Sequence, residues 1–217
     1  GTQTTTLTVS VDDANSDNNF DSLSDQTVSV TTTDDDVAGF TIVESSGSTS
    51  VDESGTTDTF TVVLDAEPAS DVVLTITSGD TGEATVTSTL TFTSANWDTA
   101  QTATVTGVDD NTIDGTVTST LTIAVDDSNS DNDFDSVADQ TVSVTTTDDD
   151  TAGFTITQSE GTTGVAESGT TDTFTVVLDT QPTSDVVITL TSGDTGEATV
   201  TSTLTFTSAN WDTAQTA

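Results

Sequence analysis

Apolar and polar residues alternate in short runs along the whole chain. In the clearest run, Phe60, Val62 and Leu64 fall on one side while Thr61 and Val63 fall on the other, and this period of two is typical of a β-strand with one buried face. Similar runs occur at Phe40/Ile42, Val72/Leu74/Ile76, Leu90/Phe92, Ala103/Val105, Leu121/Ile123/Val125 and Val142/Val144. About seven strands separated by turns rich in Gly, Asp and Ser predict an all-β, antiparallel sandwich.

The strand pattern repeats after 114 residues. Of the 103 positions that can be compared at this spacing, 83 are identical and no insertion is needed. Gly39-Phe40 returns as Gly153-Phe154, and Asn96-Trp97 returns as Asn210-Trp211. A tandem array of nearly identical units explains this pattern more simply than an enzyme does.

A run of three aspartates precedes each copy of the Gly-Phe pair and predicts where the units meet. We interpret residues 37–150 as one complete domain, residues 1–36 as the C-terminal part of a preceding repeat and residues 151–217 as the N-terminal part of a following one. The two partial repeats together lack counterparts of residues 104–114, and we expect the chain to be a segment of a longer protein.

The charged residues limit the partners and the ligands that the chain can have. Its 38 carboxylates have no Lys, Arg or His to balance them, so the formal net charge is −38. This balance excludes a nucleic-acid-binding surface, and no window is apolar enough for membrane insertion. The absence of Cys and His excludes disulfides and the commonest transition-metal ligands. Cations from solution, held by oxygen ligands, are therefore expected to neutralise the fold.

Strand direction gathers many of the carboxylates at one end of the predicted domain. If successive strands alternate in direction, eight acids fall at the pole facing the next repeat: Glu53, Asp80, Asp109, Asp110, Asp114, Asp148, Asp149 and Asp150. Ca²⁺ takes six to eight oxygen ligands and suits such a crowd better than Mg²⁺, which demands a tighter octahedron. The sequence predicts several Ca²⁺ ions per repeat.

A second acidic segment, residues 126–135, falls at the opposite pole. Its candidate ligands are Asp126, Asp127, Asp131 and Asp133, and the terminal run of the preceding unit is Asp34, Asp35 and Asp36. Only Val37 and Ala38 separate the two repeats, so a Ca²⁺ ion could bridge them; a solvated polar loop is the alternative. Glu167 repeats Glu53 and is a candidate ligand in the following unit.

Four segments together resemble a Calx-β domain: residues 51–55 (Val-Asp-Glu-Ser-Gly), the strand 60–64, residues 108–114 (Val-Asp-Asp-Asn-Thr-Ile-Asp) and the run 148–150. The resemblance covers residues 37–150. It implies a seven-stranded Ig-like sandwich that binds several Ca²⁺ ions at one pole through Glu53, Asp109, Asp110, Asp114 and Asp148 to Asp150. Asp80 lies in a loop where the family places an aspartate, although its neighbours do not match.

Nearly identical acidic repeats in tandem also resemble the extender region of RTX adhesins. That resemblance implies a Ca²⁺-rigidified spacer on a bacterial cell surface, outside the cell, which holds a distal binding domain away from the cell. Its partners would be neighbouring repeats of the same chain.

Other functions fit the residues less well. A paired-carboxylate glycosidase is the only enzyme that these residues could build, and a small tandem sandwich rarely offers the cleft it needs, so we expect no catalysis. Thr-x-Thr runs such as residues 87–93 suggest binding to ice or another surface, and a ligand-binding adhesin module is a further alternative. An acidic surface that only confers solubility would disperse its charge rather than place three aspartates at each domain end.

The partial repeats predict one interaction between molecules. Residues 151–217 should expose unfinished sheet edges, and residues 1–36 carry the strands that such edges lack. Head-to-tail strand complementation between copies of the chain is therefore a hypothesis.

Overall fold

The structure, a computed structural model, describes all 217 residues and contains sixteen strands and two short 3₁₀ turns. The strands are β1 Gln3–Val9, β2 Gln26–Thr32, β3 Phe40–Glu44, β4 Thr49–Asp52, β5 Thr57–Leu64, β6 Val72–Ser78, β7 Ala84–Val86, β8 Thr89–Phe92, β9 Gln101–Gly107, β10 Val117–Val125, β11 Gln140–Thr147, β12 Phe154–Gln158, β13 Phe174–Leu178, β14 Val186–Thr189, β15 Thr203–Phe206 and β16 Gln215–Thr216. The 3₁₀ turns are Ser45–Gly47 and Ser159–Gly161. None of the helical turns has the length or apolar character needed to cross a membrane.

Two sheets form the domain between β3 and β11, which confirms the predicted all-β class. One sheet has the order β4-β11-β10-β6-β8 and the other β3-β5-β9-β7. The seven strands expected from the apolar alternation are all present. Two short strands, β4 and β7, extend the two sheets and bring the number to nine.

One strand pair departs from the antiparallel pattern. β4 lies parallel to β11, with Asp52 opposite Thr147, whereas all the other paired strands of this domain are antiparallel. The parallel pair makes both strands end at the same pole of the domain. It therefore places the residues that follow them, Glu53 and Asp148, side by side.

The core lies between the two sheets, where the inward side chains of alternating positions meet. Phe60, Phe92, Leu74, Leu121 and Ile123 are fully buried. Thr residues occupy many of the outward positions of the same strands, as in β9 and β10. The apolar alternation thus determines which face of each strand enters the core.

The chain divides into two compact units, Gly1–Ala38 and Gly39–Ala217. The first unit is a hairpin in which β1 and β2 pair antiparallel, from Gln3 opposite Thr32 to Val9 opposite Gln26. The predicted domain boundaries at residues 37, 150 and 151 stay predictions.

Residues 151–217 within the second unit form two small sheets, β12-β13-β16 and β14-β15. A small core of Val176, Leu178, Leu204 and Phe206 joins them, with Trp211 packed against it.

Candidate metal centre

Glu53 lies at the centre of the acidic pole. It directly follows β4, and its backbone N–H donates to the carbonyl of Thr147 at the end of β11 (3.1 Å). The turn after it is held by Asp52, whose Oδ1 accepts a hydrogen bond from the Ser54 N–H (3.0 Å). These bonds direct the Glu53 side chain inward, and it is only 1% exposed.

The loop between β9 and β10 brings two further carboxylates to Glu53. Gly107 ends β9 in contact with the turn after β4, because its N–H donates to the carbonyl of Thr56 (3.0 Å). The loop then carries Asp110 and Asp114 across the pole. One carboxylate oxygen from each of Glu53, Asp110 and Asp114 lies within 4.8 Å of the others.

A second group of three shares Glu53. Oxygens of Glu53, Asp148 and Asp150 also lie within 4.8 Å of one another. Asp148 additionally holds the loop in place, since its Oδ2 accepts hydrogen bonds from the N–H groups of Asp114 (3.1 Å) and Gly115 (2.8 Å). Gly115 has a φ of 78°, a left-handed conformation that glycine adopts without strain.

Three carboxylate oxygens in this region are buried and have no hydrogen-bond partner: Glu53 Oε2, Glu83 Oε2 and Asp150 Oδ2. A buried and unpaired carboxylate oxygen is costly in a protein without basic side chains. Two groups of three converging oxygens could hold metal ions, and a hard cation would satisfy the buried oxygens.

The electrostatics of the pole agree with this geometry. Burial, followed by the charges of Asp110 and Asp114, raises the pKa of Glu53 to about 7. Burial and neighbouring carboxylates also raise the pKa of Glu83 and the pKa of Asp150. In contrast, hydrogen bonds from the backbone N–H groups of Gly115 and Asp150 lower the pKa of Asp148. Hydrogen bonds thus stabilise the charged form of Asp148. The charged forms of the buried carboxylates Glu53, Glu83 and Asp150 are unfavourable unless a positive charge lies beside them.

Glu83 is not among the ligands that the sequence predicts. It is 7% exposed and directly precedes β7, and its carbonyl accepts a hydrogen bond from the Val108 N–H (2.9 Å) at the start of the acidic loop. The short strand β7 has little apolar alternation to place it. The available signal was the unbroken identity of residues 81–103 with residues 195–217, where Glu83 returns as Glu197.

Three of the eight predicted pole residues lie outside the two groups. Asp80 accepts a hydrogen bond from the Gly82 N–H (3.0 Å) in its own turn, and its charge contributes to the raised pKa of Glu83. Asp109 and Asp149 are exposed and contribute to the raised pKa of Asp150. These carboxylates surround the cluster without entering either group.

The predicted ligands at the opposite pole are engaged within their own domain. Asp131 is buried, and its Oδ2 accepts hydrogen bonds from the N–H groups of Ala69 (2.7 Å) and Ser70 (2.9 Å). Asp126 accepts from the side chains of Ser128 and Asn129, whereas Asp127 and Asp133 are exposed. The cation bridge proposed for this loop stays a prediction.

The predicted ligands in the partial repeats are more exposed. Glu167 is exposed, unlike its counterpart Glu53. Asp34, Asp35 and Asp36 follow β2 and are exposed, and Asp34 Oδ1 accepts a hydrogen bond from the Asp36 N–H (3.2 Å). None of these four residues belongs to a group of converging carboxylates.

The acidic loop also contacts the following segment. The Gln181 N–H donates to the carbonyl of Asn111 (2.6 Å), and Thr112 forms an isolated parallel bridge with Gln181. Ile113 lines a cavity together with Phe154 and Pro182. The loop that carries Asp110 and Asp114 is therefore part of the joint with residues 151–217.

Comparisons with known proteins give distant likenesses only. No family model matches the chain, and no curated protein matches it. Among solved structures, domains 4 and 5 of the S-layer protein SbsC are 23% identical over 67% of this chain and 58% of that one, with a TM-score of 0.39. The E. coli chaperone DraB is 6% identical over 64% and 70% of the two chains (TM-score 0.37), and the MSP-domain-like protein SSP-19 of Caenorhabditis elegans is 16% identical over 46% and 92% (TM-score 0.31). The chain spans little more than half of the SbsC fragment, and likenesses this distant carry no argument about function.

Proposed function

We propose that this chain is a non-catalytic structural module that binds Ca²⁺ at one pole of its sandwich and thereby stiffens a spacer of tandem repeats outside a bacterial cell. The observation that carries the proposal is Glu53. Its carboxylate is 1% exposed, has an oxygen without a hydrogen-bond partner, and belongs to both groups of converging carboxylates. No basic side chain exists in the chain to compensate it.

Calcium suits this pole better than other common cations. The two groups and the adjacent Glu83 offer only carboxylate oxygens, which favour a hard cation over the transition metals. Several carboxylates around a shared Glu53 match the high coordination number of Ca²⁺, whereas Mg²⁺ keeps several waters in a small octahedron. Sites of this kind outside cells typically bind Ca²⁺ with dissociation constants of about 10⁻⁴ to 10⁻³ M.

Metal binding at this pole would act on the joint between repeats. The loop that supplies Asp110 and Asp114 also supplies the Asn111 carbonyl that binds Gln181. Without a cation, the carboxylates of the loop repel those of Glu53 and Asp148. A bound ion would convert this repulsion into ligation, and its binding free energy would stabilise both the domain and the joint. This coupling supports a role as a stiff extender rather than a role in recognition.

Thermal unfolding in excess Ca²⁺, in Mg²⁺ and in chelator tests the proposal. We expect a large upward shift of Tm that is specific to Ca²⁺. Circular dichroism measures this Tm. Glu53→Gln should abolish most of this shift. Glu67→Gln removes the same charge from an exposed position whose repeat counterpart is Gln181, and it should leave the shift intact. Equal melting of the wild type in all three solutions would overturn the metal mechanism.

A further inference from the structure

We propose that the parallel pair of β4 and β11 resists tension along the chain, and that a cation bound by Glu53, Asp148 and Asp150 fastens the two strands together under that tension. This role rests on the proposed extender function, because a spacer that holds a distal domain away from a cell is pulled from both ends. It assigns the resistance to one strand pair and to one of the two groups of converging carboxylates.

Tension would pull the two ends of the domain between β3 and β11 in opposite directions. β3 begins beside the start of β11, since the Gln140 side chain donates to the Phe40 carbonyl (2.6 Å). The chain leaves the domain after Thr147, at the other end of β11. Because β4 lies parallel to β11, tension draws β4 back towards its own first residue and draws β11 forwards past its last one. The two strands are therefore loaded in shear.

A sheared strand pair breaks less readily than a peeled one. Hydrogen bonds that run across the sliding direction share the load and must break together, whereas peeling breaks them one after another. The register joins four residue pairs, with Thr49–Asp52 as the β4 partners. Two further bonds continue the pair, because the Glu53 N–H donates to the Thr147 carbonyl (3.1 Å) and the Thr147 hydroxyl donates to the Val51 carbonyl (3.0 Å). Loss of β3 alone would not open the domain, since the load would then pass to β4 and these bonds.

The hydrogen bonds of this pair are shielded from water. The inward residues of both strands, Val51 and Val144 among them, are buried. Hydrogen bonds are stronger where the local dielectric constant is low, and water reaches them poorly in such surroundings. The Asp58 carboxylate also accepts a hydrogen bond from the Ser50 N–H (2.9 Å), which ties β4 to β5 of the other sheet. β4 is thus held on two sides while it is pulled.

One group of carboxylates lies directly at the end of the sheared pair. Glu53 follows β4, Asp148 and Asp150 follow β11, and one oxygen from each lies within 4.8 Å of the others. Glu53 Oε2 and Asp150 Oδ2 are buried without a hydrogen-bond partner. A cation bound by all three would join the two strands across the plane along which they slide. Without a cation the same carboxylates repel one another and weaken this end of the pair.

A bound ion should change the rate of unfolding under force. Forced unfolding follows the rate constant of unfolding rather than the equilibrium stability. An ion that is released only as the strands separate lowers this rate constant by one plus the ratio of the ion concentration to its dissociation constant. Extracellular Ca²⁺ sites with dissociation constants of about 10⁻⁴ to 10⁻³ M therefore predict a roughly 10- to 100-fold slower unfolding in about 10 mM Ca²⁺.

Single-molecule force spectroscopy on the full chain tests this mechanism. The chain has no Cys, so Val37→Cys and Thr151→Cys together place two handles at exposed positions beside the ends of the domain. Unfolding of the domain at constant force should lengthen the molecule by at most about 400 Å, which identifies the event. This unfolding should be roughly 10- to 100-fold slower in about 10 mM Ca²⁺ than in chelator.

Two variants that each replace one carboxylate of the pole separate the fastening of the strands from a general stabilisation by Ca²⁺. Asp150→Asn removes a member of the group that joins β4 to β11, so the slower unfolding in Ca²⁺ should be lost. Asp110→Asn is the matched control, because it removes the same charge from the group that joins the end of β4 only to the loop after β9. It should keep most of the slowing. Equal effects of the two variants would overturn the role assigned to the group of Glu53, Asp148 and Asp150.

The direction of pulling tests the shear geometry itself. Ser48 and Ser143 are exposed and directly precede the first residues of the β4-β11 register. Handles on Ser48→Cys/Ser143→Cys would therefore peel the same strands apart from one end. In chelator, the strands should separate at a lower force in this arrangement than in the domain pulled from residues 37 and 151. An equal or higher force would overturn the resistance assigned to β4 and β11.

Thermal unfolding of the same chain distinguishes this mechanism from the proposed function. A Tm that rises in Ca²⁺ together with a rate of forced unfolding that Ca²⁺ does not change would overturn the fastening and retain the Ca²⁺ function. A Tm that Ca²⁺ does not change would overturn both.

Discussion

At the scale of single residues, Glu53 makes a pH dependence predictable. Its pKa rises from the ordinary 4.5 to about 7 in the folded chain, so the folded state binds a proton more tightly than the unfolded state. In chelator, stability should therefore increase as the pH falls from 7 towards 4.5 and decrease as the pH rises through 7. In Ca²⁺ the dependence should reverse, because protons compete with the ion. Urea unfolding between pH 4.5 and 8 measures both profiles.

The variant Glu53→Gln is the control for this titration. It should reduce the slope of the profile in chelator, because the raised pKa values of Glu83 and Asp150 cause only the remaining part. It should also raise stability at pH 8 by about 1–3 kcal/mol, since a neutral amide replaces a buried anion. Carboxylates with lowered pKa values, such as Asp131 and Asp148, lose their contribution only below about 3.8 and lie outside this window. Identical profiles for Glu53→Gln and the wild type would show that Glu53 does not cause the dependence.

At the scale of elements, the end of β9 depends on a glycine. A Cβ atom on Gly107 would lie 2.1 Å from the carbonyl oxygen of Asp52, which is backbone and cannot swing away. Gly107→Ala should push the β4 turn away from β9, displace Glu53 and destabilise the domain by about 1–3 kcal/mol. Calorimetry with Ca²⁺ titration should show both a lower Tm and weaker Ca²⁺ binding.

Gly39→Ala offers a milder comparison for this substitution. A Cβ there would lie 2.6 Å from Oδ2 of the Asp65 side chain, at the opposite end of the domain from Glu53. It should lower Tm without weakening Ca²⁺ binding. Unchanged Ca²⁺ affinity in Gly107→Ala would contradict the role assigned to this contact.

Most of the strands of the domain could be predicted from the sequence. Period-two alternation located seven strands, because each has at least two inward apolar positions. β4 has one apolar residue, Val51, and β7 has three residues of which only Ala84 is fully buried, so neither shows a clear alternation. The parallel pairing of β4 with β11 could not be predicted either, since it depends on which edge is free once the other strands have paired.

The acidic pole could be predicted in part, because it follows from the directions of the strands that the alternation located. Strand direction placed Glu53, Asp110, Asp114, Asp148 and Asp150 at one end, and the structure brings these five together. Strand direction could not separate these five from Asp109 and Asp149, because the position of each carboxylate in a loop depends on the backbone conformation of that loop. Glu83 was missed because the strand that positions it is one of the two short ones.

At the scale of the whole molecule, the acidic loop would link the proposed metal binding to the contact with residues 151–217. Asn111 lies in the loop that carries Asp110 and Asp114, and its carbonyl accepts a hydrogen bond from the Gln181 N–H. If Ca²⁺ orders this loop, the orientation of residues 151–217 relative to the domain before them should vary less with the ion than without it. The absence of Cys allows spin labels to be placed at will, and Thr91 and its repeat counterpart Thr205 are exposed sites on matching strands.

Pulsed dipolar spectroscopy on Thr91→Cys/Thr205→Cys should give a narrow distance distribution in Ca²⁺ and a broader one in chelator. Adding Glu53→Gln should keep the distribution broad even in Ca²⁺, since the carboxylate that belongs to both groups is lost. Dilution with unlabelled chain separates distances within a molecule from those between molecules. A distribution that is equally narrow in chelator would mean that the backbone contacts of Asn111 and Thr112 with Gln181 hold the joint without metal, and its stiffness would then not depend on Ca²⁺.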